Sequence, residues 1–99
     1  MASLREQLSA WAEENAHELI FYDPPAIFDQ AILGLVYGSE QELVVCYDEQ
    51  RVLAGLIADG MEEDEAQDWF QFNTVGSYLG PLTPRFLIRP TEVIDESTP

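Results

Sequence analysis

The ten residues Asp-Gly-Met-Glu-Glu-Asp-Glu-Ala-Gln-Asp at 59–68 carry six carboxylates and no basic group. Carboxylates at this density can accept charge-assisted hydrogen bonds from a surface lined with lysine and arginine, and they oppose direct binding to DNA, RNA or anionic lipid. Wound as a helix, ten residues span roughly 15 Å. Over that length duplex DNA carries about nine phosphates and a single strand about four. Mimicry of nucleic acid is therefore physically admissible. The candidate binding residues are Glu62, Glu63, Asp64, Glu65 and Asp68 of this run, with Glu13 and Glu14 from an earlier helix and Tyr78 from a later loop as an aromatic anchor.

An ordinary role competes for the same residues. Acids in a first helical turn relieve the macrodipole and cap free amides. At 100° per residue, Ala66, Trp69, Phe70 and Asn73 share one face, while Asp64, Gln67, Asp68 and Gln71 fall opposite. That is the pattern of a solvated amphipathic helix, and for this segment alone it is the more common outcome. The whole chain goes further. Nineteen Asp and Glu face four arginines and no lysine, a formal net charge of −15 in 99 residues. Stability alone never requires the absence of lysine, so the excess favours a basic partner surface.

Other residues offer less chemistry. His17 is the only histidine, which excludes a histidine-rich metal site. Cys46 lies in an apolar run, where a lone cysteine is a small core residue more often than a nucleophile paired with His17. Asp23, Asp29 and Asp48 near helix starts could converge on a hard cation such as Mg²⁺, although cap duty explains each separately. Neither a phosphate-binding glycine loop, nor zinc-ligand spacing, nor a nucleophile elbow is present. The expectation is a non-enzymatic protein without a cofactor.

Composition bounds the rest. A hydrophobic fraction of 46% with 11% aromatics is globular, and the length suits one domain over residues 1–90. The segment 91–99, with Glu92, Asp95 and Glu96, reads as an acidic flexible tail. A single cysteine fits a reducing compartment, and no apolar stretch approaches the roughly 20 residues of a membrane span. The N-terminus lacks the basic flank and apolar run of a signal peptide, so a cytoplasmic location is expected.

The elements that must carry these residues follow from spacing. Ser3 and Glu6 form a capping box ahead of a stripe of Leu4, Leu8, Trp11 and Ala12. This helix should fade near Asn15 to His17, its last turn frayed or braced by an arginine because Glu13 and Glu14 oppose the dipole. Pro24 and Pro25 introduce a second helix in which Ile27, Phe28, Ala31, Ile32, Leu35 and Val36 form a broad face, with Gly38 as terminator. Residues 43–47 read as a doubly buried strand. Asp48 caps a third helix that stops at Gly60, and a fourth runs from about Glu62 to Val75, closing an αα-hairpin. Asn73 on its inward face should satisfy the loop from Gly76 to Thr83. Residues 85–89 are a second strand. The predicted fold class is a helix-dominated α+β domain of about four helices with a small two-stranded ribbon joining 43–47 to 85–89.

Several of these residues form a pattern. It runs Phe28-Asp29-x-Ala31-Ile32-x-Gly34, Val44-Val45-x-Tyr47-Asp48 and Gly60-Met61-x-x-x-Glu65-Ala66, then Phe70-x-Phe72-Asn73-x-x-Gly76-x-Tyr78-x-Gly80-x-x-Thr83-Pro84-x-Phe86. It resembles a group of small acidic phage and prophage proteins of uncharacterised function over roughly residues 28–86, most specifically in the last block. Such proteins often carry Ser or Thr after the Gly-Met, where this chain has Glu62, which loses the usual cap and adds charge. The N-terminal helix and Tyr22-Asp23-Pro24-Pro25 lie outside the pattern. The resemblance supplies no site residues. It implies a phage accessory setting, and with it an inhibitor of host machinery; the acidic excess adds the expectation that the target is a host factor with a basic surface, one that handles nucleic acid, which the chain inhibits or modulates. The alternative is an interaction or self-assembly module with an apolar contact through Trp11, Tyr22, Tyr37, Tyr78 or the 76–84 loop.

Overall fold

The computed structural model describes residues 2–89, with the backbone alone at Val75. The tail expected over 91–99 lies outside the described residues. Helix α1 (Leu4–Glu14) opens as its capping box requires, since the Glu6 amide donates to Ser3 Oγ at 3.1 Å and the Ser3 amide to Glu6 Oε1 at 3.2 Å. Of the two outcomes expected for its last turn, fraying or bracing by an arginine, the second is not seen among the described residues. The Asn15 side chain and amide both donate to the Trp11 carbonyl, at 2.8 and 3.0 Å, and the His17 amide donates to that of Ala12 at 2.8 Å, which closes the helix end.

The second expected helix is corrected. Helix α2 (Pro25–Phe28) makes one turn, tightens into a 3₁₀ turn (Asp29–Ala31) and gives way to strand β1 (Ile32–Tyr37). β1 pairs antiparallel with β2 (Leu43–Asp48), matching Leu35 to Val45 and Tyr37 to Leu43. The register shifts between Ile32 and Gly34, a β-bulge that Gly34 permits with φ +153°. The bulge breaks the two-residue alternation that would have marked a strand, leaving apolar residues at spacings that imitate a helix. Gly38 therefore ends no helix. It starts the hairpin loop, where its amide donates to the Glu42 carbonyl at 2.7 Å.

Asp48 caps α3 (Glu49–Ala58) by accepting from the Gln50 amide at 3.0 Å. The far end closes with Gly60 at φ +116°, its amide on Ile57 O at 3.0 Å and the Met61 amide on Leu56 O at 3.1 Å, the two bonds of a Schellman motif. Helix α4 (Glu63–Phe70) folds back against α3 and widens into a π turn (Gln71–Val75). Asn73 serves this turn and not the following loop, donating to the Trp69 carbonyl at 2.9 Å, while the Thr74 hydroxyl donates to the Phe70 carbonyl. Thr83 staples the loop instead, accepting from the Leu79 amide at 2.7 Å and donating to the Gly80 carbonyl at 2.6 Å.

The chain then returns as β3 (Arg85–Leu87), parallel to β2, with Tyr47 opposite Phe86. The pairing of the two expected strands is present, but among the described residues the sheet has three strands in the order β1-β2-β3 and not two. A parallel return needs a long crossover, which α3, α4 and the loop supply. The fold is α+β. Its core gathers Phe28, Tyr47, Val52, Leu56, Ala66 and Phe70. Phe86 links sheet and helices, stacked 5.8 Å from Tyr47 and edge-on 4.8 Å from Phe70.

Candidate binding surface

The arginines decide which carboxylates remain available. Arg5 Nη1 lies 3.0 Å from Asp29 Oδ1, with its guanidinium 4.7 Å from the centre of the Phe21 ring. Arg89 pairs with the wholly buried Asp48, and Arg51 Nε lies 3.6 Å from the same carboxylate. Three of the four arginines thus face two carboxylates, Asp29 and Asp48. Among the described residues, none of Glu13, Glu14, Glu62, Glu63, Asp64, Glu65 and Asp68 is paired with an arginine. All seven are exposed.

These seven do not form one cluster by element. Glu13 and Glu14 end α1, which packs on β1, whereas the other five belong to the start and body of α4, which packs on α3. Within α4 the acids divide again. Glu65 Oε1 accepts from the Glu62 amide at 3.3 Å, so part of the run serves the helix start even without Ser or Thr at the cap. Glu63 and Asp68, with Gln67 and Gln71, line one wall of a groove of about 710 Å³ whose other wall is α3. Its floor is apolar. Of the α3 stripe expected to be core, Val52 and Leu56 are buried, Leu53 is partly covered, and Ile57 stays 43% exposed because the stripe is wider than the core beneath it. Ile88, just past β3, completes the floor and is 49% exposed.

Tyr78 lines a second hollow of about 450 Å³, with Thr83, Pro84 and Arg85. Tyr78 is 72% exposed and Phe72 on the π turn 86% exposed, while Phe70 belongs to the core and Trp69 is half-buried against it. Tyr37 is exposed as well. Tyr22 is not available to a partner. It is buried, stacked on Phe86 and tilted against Phe28, with its hydroxyl 3.4 Å from Ser77 Oγ.

The residues weighed for catalysis are occupied. His17 Nε2 meets the Leu43 carbonyl at 2.8 Å, Nδ1 faces Glu42 at 3.7 Å, and the ring stands edge-on to Trp11, so neither nitrogen is turned to Cys46. Burial pushes the Cys46 thiol up, and the Asp48 charge pushes it further, away from the reactive thiolate. Asp29 and Asp48 are each bound to arginine and do not converge with Asp23. Among the described residues no group of three His, Cys, Asp or Glu is placed to hold a metal ion. No helix of the described residues is long and apolar enough to cross a membrane.

Comparison of the chain with protein-family models, with curated proteins and with solved structures finds no match.

Proposed function

We propose that this chain is a non-enzymatic acidic binding protein that docks on a basic surface of a host factor handling nucleic acid and inhibits or modulates it. The observation that carries this reading is the division of charge. Three arginines face Asp29 and Asp48, and among the described residues the α4 acids are exposed with no arginine paired to them. A surface so biased steers a basic partner toward it and repels nucleic acid. Carboxylates of α4, with those of α1, would fill an Arg- and Lys-lined groove and exclude its polyanionic ligand. The motif resemblance supports a phage accessory role in the host cytoplasm.

Capture of partners from host lysate at low and at high salt, followed by displacement of labelled duplex DNA from the captured protein, tests the reading. Release at high salt together with DNA displacement supports it. Capture indifferent to salt removes it.

A second reading has its own observation. Phe72, Tyr78 and Leu79 are exposed on the π turn and the loop after it, an apolar set suited to a protein contact or to self-association. Light scattering separates the two, since an apolar dimer persists in high salt.

A further inference from the structure

The groove between α3 and α4 is more selective than a field of charge. Its floor of Leu53, Ile57 and Ile88 is apolar, and its α4 wall sets Glu63 and Asp68 on either side of Gln67 along the helix. Glu63 and Asp68 are five residues apart, a rise of roughly 7.5 Å, so the two charges bracket more than one helical turn. At about 710 Å³ the space exceeds what single surface side chains need and lies within the range of binding clefts. Two helices side by side with an uncovered apolar seam present the geometry into which a third amphipathic helix packs.

We infer that this groove binds a basic amphipathic helix of the partner. Apolar residues at i and i+3 or i+4 would sit on Ile57, Leu53 and Ile88, with lysine or arginine on the flank toward Glu63 and Asp68. The inference rests on the acidic-binding reading and names the kind of segment it recognises. Charge complementarity selects this occupant over the others. The chain's own 91–99 segment carries Glu92, Asp95 and Glu96 and no base. A second copy would bring another acidic rim against the first.

The test uses the full chain and two synthetic peptides of roughly 14 residues, about four turns. One sets leucines at helical spacing among lysines, and the other has the same composition in an order that spreads leucines round the helix. Binding is followed by calorimetry and by isoleucine methyl NMR. The amphipathic peptide is expected to bind at least about tenfold more tightly and to shift the Ile57 and Ile88 methyls. Ile57→Ser with Ile88→Ser should erase that preference while leaving the scrambled peptide's affinity unchanged, and Glu63→Gln with Asp68→Asn should weaken the amphipathic peptide. Both pairs of sites are exposed or rim positions, and an unchanged thermal melt verifies folding.

Equal binding of the two peptides, or methyl shifts away from Ile57 and Ile88, overturns the groove and leaves the acidic-surface reading standing. Binding that emerges only after removal of residues 91–99 assigns the groove to the chain itself and overturns the inference. Methyl shifts that depend on protein concentration without peptide do the same in favour of a second copy. If neither peptide binds at low salt, the acidic-surface reading falls with it.

Discussion

Asp48 and Arg89 join the two ends of the crossover. The Asp48 carboxylate, wholly buried at the end of β2, takes the Arg89 Nε at 3.1 Å on Oδ2 while Oδ1 caps α3. Arg89 follows β3, so one side chain fixes the start of α3 and the register of the returning strand. Burial alone would raise the Asp48 carboxyl, but the Arg89 hydrogen bond and charge, with the backbone amides at Arg51 and Gln50, outweigh it and hold the group below its ordinary 3.8. A lowered folded value means that the ionised pair stabilises the fold above that ordinary value, and that this contribution is lost as pH falls below it.

Replacing Asp48 by Asn should therefore destabilise the protein by about 2–3 kcal/mol near neutral pH, through loss of the charged hydrogen bond and a weaker cap. Urea denaturation at pH 7 and pH 3 measures this, and the difference from the wild type should shrink at the lower pH. Asp29→Asn, which removes a half-exposed pair with Arg5, should change stability by about 1 kcal/mol or less.

Tyr47 gives the opposite pH dependence. Its ring is fully buried, and its hydroxyl accepts from the Tyr22 amide at 2.9 Å. Burial pushes its ionisation up from 10.0 to about 12 although the Tyr22 bond opposes this. A raised folded value means stability is intact below pH 10.0 and declines as pH climbs from there toward about 12. Guanidinium denaturation at pH 8 and pH 11.5 should show the loss. Tyr47→Phe should remove this alkaline decline, at a cost of about 1–3 kcal/mol at neutral pH for the orphaned Tyr22 amide.

Gly60→Ala tests the closure of α3. An added Cβ meets no atom within 4 Å, so the expected cost of about 1 kcal/mol arises from the φ of +116° alone. A thermal melt of the variant should fall by several degrees, in proportion to that cost for a chain this size.

Phe72→Ser distinguishes exposed aromatic surface from core. With the ring almost wholly in solvent, its removal should leave stability within about 0.5 kcal/mol of the wild type. If the acidic reading holds, the variant and the wild type should both be monomers by light scattering in high salt. A wild-type dimer dissolved by Phe72→Ser would favour the apolar module.

The sequence made several elements readable because local chemistry marks them. Ser3 with Glu6, Asp48 before an apolar repeat and Gly60 after it each specify a helix end through backbone amides within a few residues. β1 was not legible, because the bulge at Gly34 hides the alternation and the pairing that decides the matter lies with β2, several residues onward. The parallel return of β3 and the Asp48–Arg89 pair depend on contacts across some forty residues, which no local pattern carries. Of the candidate binding surface, the acidic residues of α4 could be identified from their types. The groove beside them could not, since Ile57 reads as core until the width of the α3 stripe is compared with what α4 covers.

The salt dependence of partner affinity separates docking by the α4 carboxylates from an apolar contact. For a partner captured from host lysate, the dissociation constant should be measured from low to above physiological salt for the wild type and for a Glu63→Gln, Asp64→Asn, Asp68→Asn variant. If docking is electrostatic, affinity falls steeply as salt rises, and the variant binds more weakly with a shallower dependence. An affinity unchanged by salt and equal in the two proteins would contradict it.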